Sequence, residues 1–477
     1  MFVQSVDSSS SRPDVAFLVF APLKQRRDDN SFDGNDNIGA KVIADTLERE
    51  GIRVGFCAPE TAHQYQIVLV SLTSTYDVFA FYQAVALRPD WQPKARRFTV
   101  VAGGFGMQNP TSVRHYIDYA AFGRAEDWIT PVIESLLGGG IPSAHPSLMA
   151  LPDMHPVVIH QSAHLYDRAI GDFRETFTGC PLKCKFCHYT WAREYKDERA
   201  EATRGTYVQE SLTGGGTPEL TFDQLYTYGR KAGRVRAAID GFSERLRYVY
   251  GKRLSNQDII GGIEAIGQYG GVTTLLIYNI ANFPTETPAD REELYETLRA
   301  ANPKDRVIFV LHSTPFRPSL ATPMQWEPVS LFPDNSKLRQ QVIAERPNFR
   351  AVHSFTIETP WSHLMSVIAE RATPETDALF HACAFSPKLR NGLAADKVRR
   401  VQAHFDITPY IKAYDFDEPH PAWFLDGYIE RVRIAKIARK MRADIQRTQD
   451  EPGWKPGGVS LVEARMRKSK PVFVDVT

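Results

Sequence analysis

Three of the chain's five cysteines, Cys180, Cys184 and Cys187, stand in a C-x3-C-x2-C spacing within the run Gly179-Cys180-Pro181-Leu182-Lys183-Cys184-Lys185-Phe186-Cys187. Thiolates this close together can hold three irons of a 4Fe-4S cluster and leave the fourth iron open to a small ligand. An open iron is a reactive one. A structural zinc would need a fourth ligand, and His188 is too close to Cys187 in sequence to close a tetrahedron with it. The two remaining cysteines, Cys57 and Cys383, read as free thiols of the core in a reducing cytoplasm.

The elements that must position these residues fall into an α/β pattern. An apolar run over Val15–Phe20 leads through a polar loop to a helix near Gly39–Glu50, closed by Gly51, and further strands are expected at Ile52–Phe56, Ile67–Leu72 and Phe98–Ala102. This is the alternation of a doubly wound, Rossmann-like domain, assigned to residues 13–145. In such sheets ligands sit beyond the carboxyl ends of the strands. That rule gathers Ser71, Thr73, Gly103, Gly104, Gly123 and Glu126 around one crevice. Residues 1–12 read as a disordered lead-in without the apolar stretch of a secretory signal, and 146–170 as a linker whose His155, His160 and His164 are surface residues. Residues 171–330 carry the pattern of a partial (β/α)6 barrel of TIM type, with the cysteine loop following its first strand, Phe173–Phe177. Residues 331–477 are expected to form an α/β or α-rich C-terminal cap.

The cysteine loop, with Phe186 just before its last cysteine, resembles that of the radical S-adenosylmethionine (SAM) superfamily. The order of the first-domain motifs ahead of it resembles the branch of that superfamily that carries an N-terminal cobalamin-binding domain. The resemblance implies that SAM chelates the open iron and is split by one electron into methionine and a 5'-deoxyadenosyl radical, and that the first domain holds cobalamin at Ser71, Thr73, Gly103, Gly104, Gly123 and Glu126. Because the loop Pro22–Gly39 contains no histidine, the cofactor is expected base-off with no His ligand below cobalt, a state suited to methyl transfer. Methylthiotransferases are disfavoured, since their first domain needs three cysteines of its own and this one has Cys57 alone.

Further SAM contacts are expected by resemblance at strand ends. Gly214 and Gly215 look like the glycine-rich turn that accepts the SAM amino group. Asp240, Ser243 and Arg245 look like an acidic strand end followed by a helix start, with Ser243 as N-cap and Arg245 facing the SAM carboxylate. Asn279 lies in a strand running toward a helix near Pro288, where Asn282 and Thr285 replace the glycines usual in relatives. The loop after the strand Val307–Leu311 offers His312 and Arg317 as acid, base or carboxylate clamp, with Met324, Gln325 and Trp326 beyond.

A formal charge of +1 over 477 residues argues against nucleic acid as a partner, and no apolar run is long enough to cross a membrane. The expected function is a cobalamin-dependent radical SAM methyltransferase acting on a weakly nucleophilic carbon of a small molecule or peptide, reduced by a flavodoxin- or ferredoxin-type donor. Non-methylating outcomes such as ring contraction, cyclisation or oxidation, and a radical SAM enzyme without cobalamin, stay open. The basic helical segment Trp423–Gln446 reads as a solvated face ahead of its alternative, a docking site for an acidic electron donor or peptide.

Overall fold

Five short apolar strands and the helices between them build the first sheet: β1 (Val15–Val19), α1 (Ile38–Arg49), β2 (Val54–Phe56), β3 (Ile67–Ser71), α2 (Thr75–Val85), β4 (Thr99–Gly103) and β5 (Tyr119–Ala121), followed by α3 (Ile129–Leu137) and β6 (Leu148–Ala150). The computed structural model describes residues 13–20, 37–162, 164–170, 173–175, 177–180, 182–197, 234–269, 274–302, 307–331, 352–355, 359–427, 429–451 and 454. The strand order is β2-β1-β3-β4-β5-β6, parallel except for β6, which is antiparallel to β5. Chain order reverses between β1 and β3, so the switch-point crevice of a doubly wound sheet opens there. The apolar alternation works as expected: Val15, Phe17, Leu69 and Val101 face α1 and α3 in one core.

The second sheet holds four parallel strands in chain order, β7 (Arg234–Ala238), β8 (Thr274–Ala281), β9 (Ile308–Pro315) and β10 (Val352–Phe355). Helices α4 (Glu244–Val249), α5 (Asn256–Tyr269) and α6 (Pro288–Ala301) complete its β/α units. One face of β8, with Leu275, Ile277 and Ala281, packs on Ile259, Ile263, Leu294 and Leu298 from the helices. The opposite face, with Leu276, Tyr278 and Ile280, is the more open one.

Three sequence-based boundaries are corrected. The strand expected at Phe173–Phe177 is not in the barrel sheet. Phe173–Arg174 and Phe177–Thr178 form antiparallel pairs with Ala169–Ile170 and Lys196–Asp197. Its Glu175 is held by Arg124 at 2.9 and 2.7 Å and by the Tyr166 amide at 2.7 Å, which ties the segment to the first sheet's surroundings. The expected linker contains β6 and a strand pair of Val157–Val158 with Leu425–Asp426.

The C-terminal segment is also not one cap. Two compact units divide the chain, one drawn from Met1–Gly179, Trp191–Tyr207 and Pro360–Arg431 and the other from Cys180–Thr190, Val208–Thr359 and Val432–Thr477. Helices α7 (Pro360–Glu370) and α8 (Thr376–Phe385) pack on α2 of the first unit, with Phe79 against Trp361 and Phe380. The last helix, α9 (Arg431–Asp450), enters the core of the second unit through Met441 and Ile445. No helix among the described residues is long and apolar enough to cross a membrane.

Candidate functional site

The cysteine loop is fixed from both sides by backbone bonds. Lys185 N donates to Tyr250 O at 2.8 Å, Met324 N donates to Lys185 O at 3.2 Å, and the Lys185 ammonium reaches Val249 O at 2.6 Å. Phe186 leans on Phe283, ring centroids 5.5 Å apart, at the edge of a core of Leu246, Tyr250, Phe316, Met324 and Met441. The aromatic residue before the last cysteine is thus the loop's apolar anchor. His188 Nδ1 is paired with Leu320 O, 2.7 Å away.

All three cysteines are free thiols, with Cys184 buried. Burial pushes the Cys184 thiol up from its ordinary range, and the nearby Lys252 ammonium pulls it back. Burial also raises Cys187, against hydrogen bonding from Thr190 that lowers it. Cys180 and Cys187 both act electrostatically on Cys184, so the three sulfurs share one neighbourhood. Among the described residues no three His, Cys, Asp or Glu side chains converge on a single ion position. Three soft cysteine ligands in one neighbourhood on a clamped loop fit a 4Fe-4S cluster.

The strand ends place the other expected residues differently. Ser243 is the N-cap of α4, its Oγ accepting from Leu246 N and donating to Asp290 Oδ1 at 2.5 Å. Arg245 does not face an open carboxylate site. Its guanidinium is bidentate on Asp290, with Nε at 2.7 Å, and its Nη2 also reaches Thr285 O at 3.0 Å. Asp240 is held by Lys252 Nζ at 2.8 Å. Asn279 points to the helix side, its Oδ1 accepting from Gly241 N at 2.6 Å, so it braces the turn after β7. Asn282 and Thr285 take φ of 61° and 72°, the backbone that glycines would adopt there. The turn shape survives in spite of their side chains. Gly214 and Gly215 lie outside the described residues.

Tyr278, absent from the sequence-based set, is 37% exposed on the open face of β8. In register with it stand Ala238 on β7 and His312 on β9, and the Tyr278 and His312 rings are 5.3 Å apart. The signal was available: in β8 the apolar alternation assigns odd positions to the helices and Tyr278 to the other face. Arg317 is half-buried in the loop after β9. The rest of that loop is no open grip, since Phe316, Met324 and Trp326 are buried to 2% exposure or less.

In the first unit the expected crevice residues have internal duties. Thr73 N and Oγ1 both donate to Asp77 Oδ2 at 2.8 Å, capping α2. Gly103 ends β4 in register with Ser71. Gly104 has φ +104° and a Cβ there would lie 2.4 Å from Leu72 O, so its glycine serves the chain's own close approach. Gly123 pairs with His160, and Glu126 accepts from Arg124 Nε at 2.6 Å. Ser71 Oγ donates to Asn37 Oδ1 at 3.1 Å.

Asn37, which sequence reasoning passed over, caps α1 at the β1/β3 switch point, and its buried Nδ2 has no hydrogen-bond partner among the described residues. An orphaned donor beside a helix N-terminus is a feature a cofactor's polar tail can use. This is the observation by which the first unit fits cobalamin.

No family model and no curated protein matches the chain. Among solved structures, it is similar to the cobalamin-dependent S-adenosylmethionine radical enzyme OxsB with aqua-cobalamin and S-adenosylmethionine bound, at 10% identity and a TM-score of 0.42, over 96% of this chain and 83% of that one. The same enzyme with aqua-cobalamin bound gives 12% and 0.27, over 90% of this chain and 56% of that one. Its apo, selenomethionine-labelled form gives 11% and 0.24, over 96% and 60%. At such identities and TM-scores the likeness is loose, and no residue role passes from those chains to this one.

Proposed function

We propose that this chain is a cobalamin-dependent radical SAM enzyme that methylates a weakly nucleophilic carbon of a small molecule or peptide. The observation that carries the reading is the clamped loop bearing three cysteines outside any disulfide, Cys180, Cys184 and Cys187, with Phe186 anchored against Phe283. A 4Fe-4S cluster on that loop would supply the electron for reductive cleavage of SAM, and a corrin in the first unit would supply the methyl carrier. The chain's own part is to hold and exclude. Tyr278 and His312 offer a ring surface for substrate or adenine, and Asn37 offers an amide donor to the corrin's tail.

Anaerobic purification with added hydroxocobalamin tests this. About four iron per chain with one cobalt, a base-off corrin spectrum and SAM-dependent product mass gain of one methyl are expected. Iron without cobalt would remove the cobalamin half, and SAM cleavage without methyl gain would move the outcome to rearrangement or oxidation.

The electron is assigned to an acidic donor protein of flavodoxin or ferredoxin type, docking on α9. Residues 431–443 carry six cations and no acid, with Arg433, Lys436, Arg439 and Lys440 exposed. Cations at a helix N-terminus oppose its dipole, and like charges three or four apart repel. The stripe therefore costs helix stability, while the buried side of α9 meets the core against which Phe186 packs. The triple variant R433E/K436E/R439E should slow reduction of the cluster by reduced flavodoxin at least tenfold, and weaken its salt dependence, with dithionite reduction unchanged. Equal rates with flavodoxin would remove this surface as the donor's dock.

A further inference from the structure

A buried ion pair lies beside the cysteine loop that the reading above does not use. Lys252 and Asp240 are joined at 2.8 Å, with side chains only 4% and 17% exposed. Lys252 is brought there by Gly251. With φ +87°, Gly251 lets the backbone come so close that a Cβ would lie 2.9 Å from Lys183 O and 3.5 Å from Cys184 Cα. Arg247, fully buried, fixes both halves of the pair. Its Nη1 donates to Gly241 O and Phe242 O at 3.1 and 3.2 Å, next to Asp240, and its Nε donates to Leu254 O at 2.7 Å. Its carbonyl accepts from Lys252 N at 2.8 Å. The ammonium acts on both Cys184 and Cys180.

We infer that Lys252, oriented by Asp240 and Arg247, is the counter-charge of the iron–sulfur cluster and sets its reduction potential. The inference rests on the assignment of a cluster to Cys180, Cys184 and Cys187. Reduction adds one electron to the cluster, and a fixed cation in a low-dielectric surrounding stabilises that added charge, while a carboxylate disfavours it. The two members work in opposite directions: Lys252, next to the Gly251 contact with the loop, stabilises negative charge at Cys184, and Asp240 opposes it more weakly. Simple packing would predict no effect of charge at constant shape.

The experiment is a dithionite titration of the reconstituted full chain, in which dithionite is oxidised and the cluster takes up one electron, followed by its electron paramagnetic resonance signal. Wild type, Lys252→Met, Lys252→Arg and Asp240→Asn are compared. At the wild-type midpoint, Lys252→Met should lower the ratio of reduced to oxidised cluster about tenfold, equivalent to about 59 mV for one electron. Lys252→Arg should keep the wild-type ratio, and Asp240→Asn should raise it. A Lys252→Met protein that loads iron normally with an unchanged midpoint overturns the inference. Where Lys252→Met fails to load, an Asp240→Asn midpoint equal to or below wild type overturns it as well. Absence of iron in the reconstituted wild type is a different failure, that of the cluster assignment itself.

Discussion

A Cys184→Ala chain, reconstituted with iron and sulfide, is expected to hold less than a tenth of the iron of wild type and to lose the visible absorption of the cluster. Cys184 is the most enclosed of the three thiols, 4% exposed, where Cys180 and Cys187 are only half-buried. A thiolate there is stabilised only by a metal and by Lys252, because burial alone holds the thiol protonated. Removing it would leave two thiolates for a cluster that would take three from this loop. Cys57→Ser and Cys383→Ser are the controls. Both thiols are pushed up to about 12 by burial and sit in the first unit, so their iron content should equal that of wild type. Iron retained by Cys184→Ala, or lost equally from Cys57→Ser, would detach the chemistry from this loop.

Asp290→Ala should destabilise the second unit by about 3–5 kcal/mol, the usual result of stranding one member of a buried charge pair. Its carboxylate, with a side chain 3% exposed, accepts both arms of Arg245, the Ser243 hydroxyl, and the amide and hydroxyl of Thr287 at 2.7 and 2.8 Å. One residue thereby joins the start of α4 to the start of α6. Loss of the carboxylate removes the reciprocal half of the α6 capping box and the acceptor of the Ser243 hydroxyl, and takes the counter-charge from a guanidinium, effects that add to more than a surface ion pair is worth. The shift in the urea midpoint, followed by tryptophan fluorescence, measures it. Arg245→Ala should cost less than Asp290→Ala, because the remaining Asp290 keeps its bonds to Ser243 and Thr287. A loss under about 1 kcal/mol for Asp290→Ala would free Arg245 for the ligand role that the sequence suggests.

The α/β class, the first four strands and the cysteine loop were legible because they rest on local signals: apolar alternation, glycine punctuation and a rare residue at fixed spacing. The roles of Arg245, Asp240 and Asn279 were not legible. Each is a polar residue at a strand end, where binding a ligand and bracing a turn demand the same side chain. Only the structure names the partners, Asp290, Lys252 and the Gly241 amide. Gly104 shows the same ambiguity, since a glycine that admits a ligand and one that admits Leu72 look alike in sequence. Lys252 and Asn37 were invisible for a different reason. Neither belongs to a pattern, and both matter through what lies tens of residues away. The C-terminal boundary was missed because nothing local says that residues 360–385 belong beside α2.

That last arrangement has a consequence for synthesis. The Tyr82 hydroxyl donates to Asp377 O across 295 residues, and Phe79 completes its packing only with Trp361 and Phe380. At a ribosomal rate of about 5–20 residues per second, the apolar side of α2 waits roughly 15–60 s before its partners emerge. For that interval the nascent chain carries an unfinished hydrophobic face while most of the second unit is made. The first unit is thus an N-terminal domain by chain position only; in order of completion it finishes late, and a truncation anywhere before residue 385 leaves it open to aggregation.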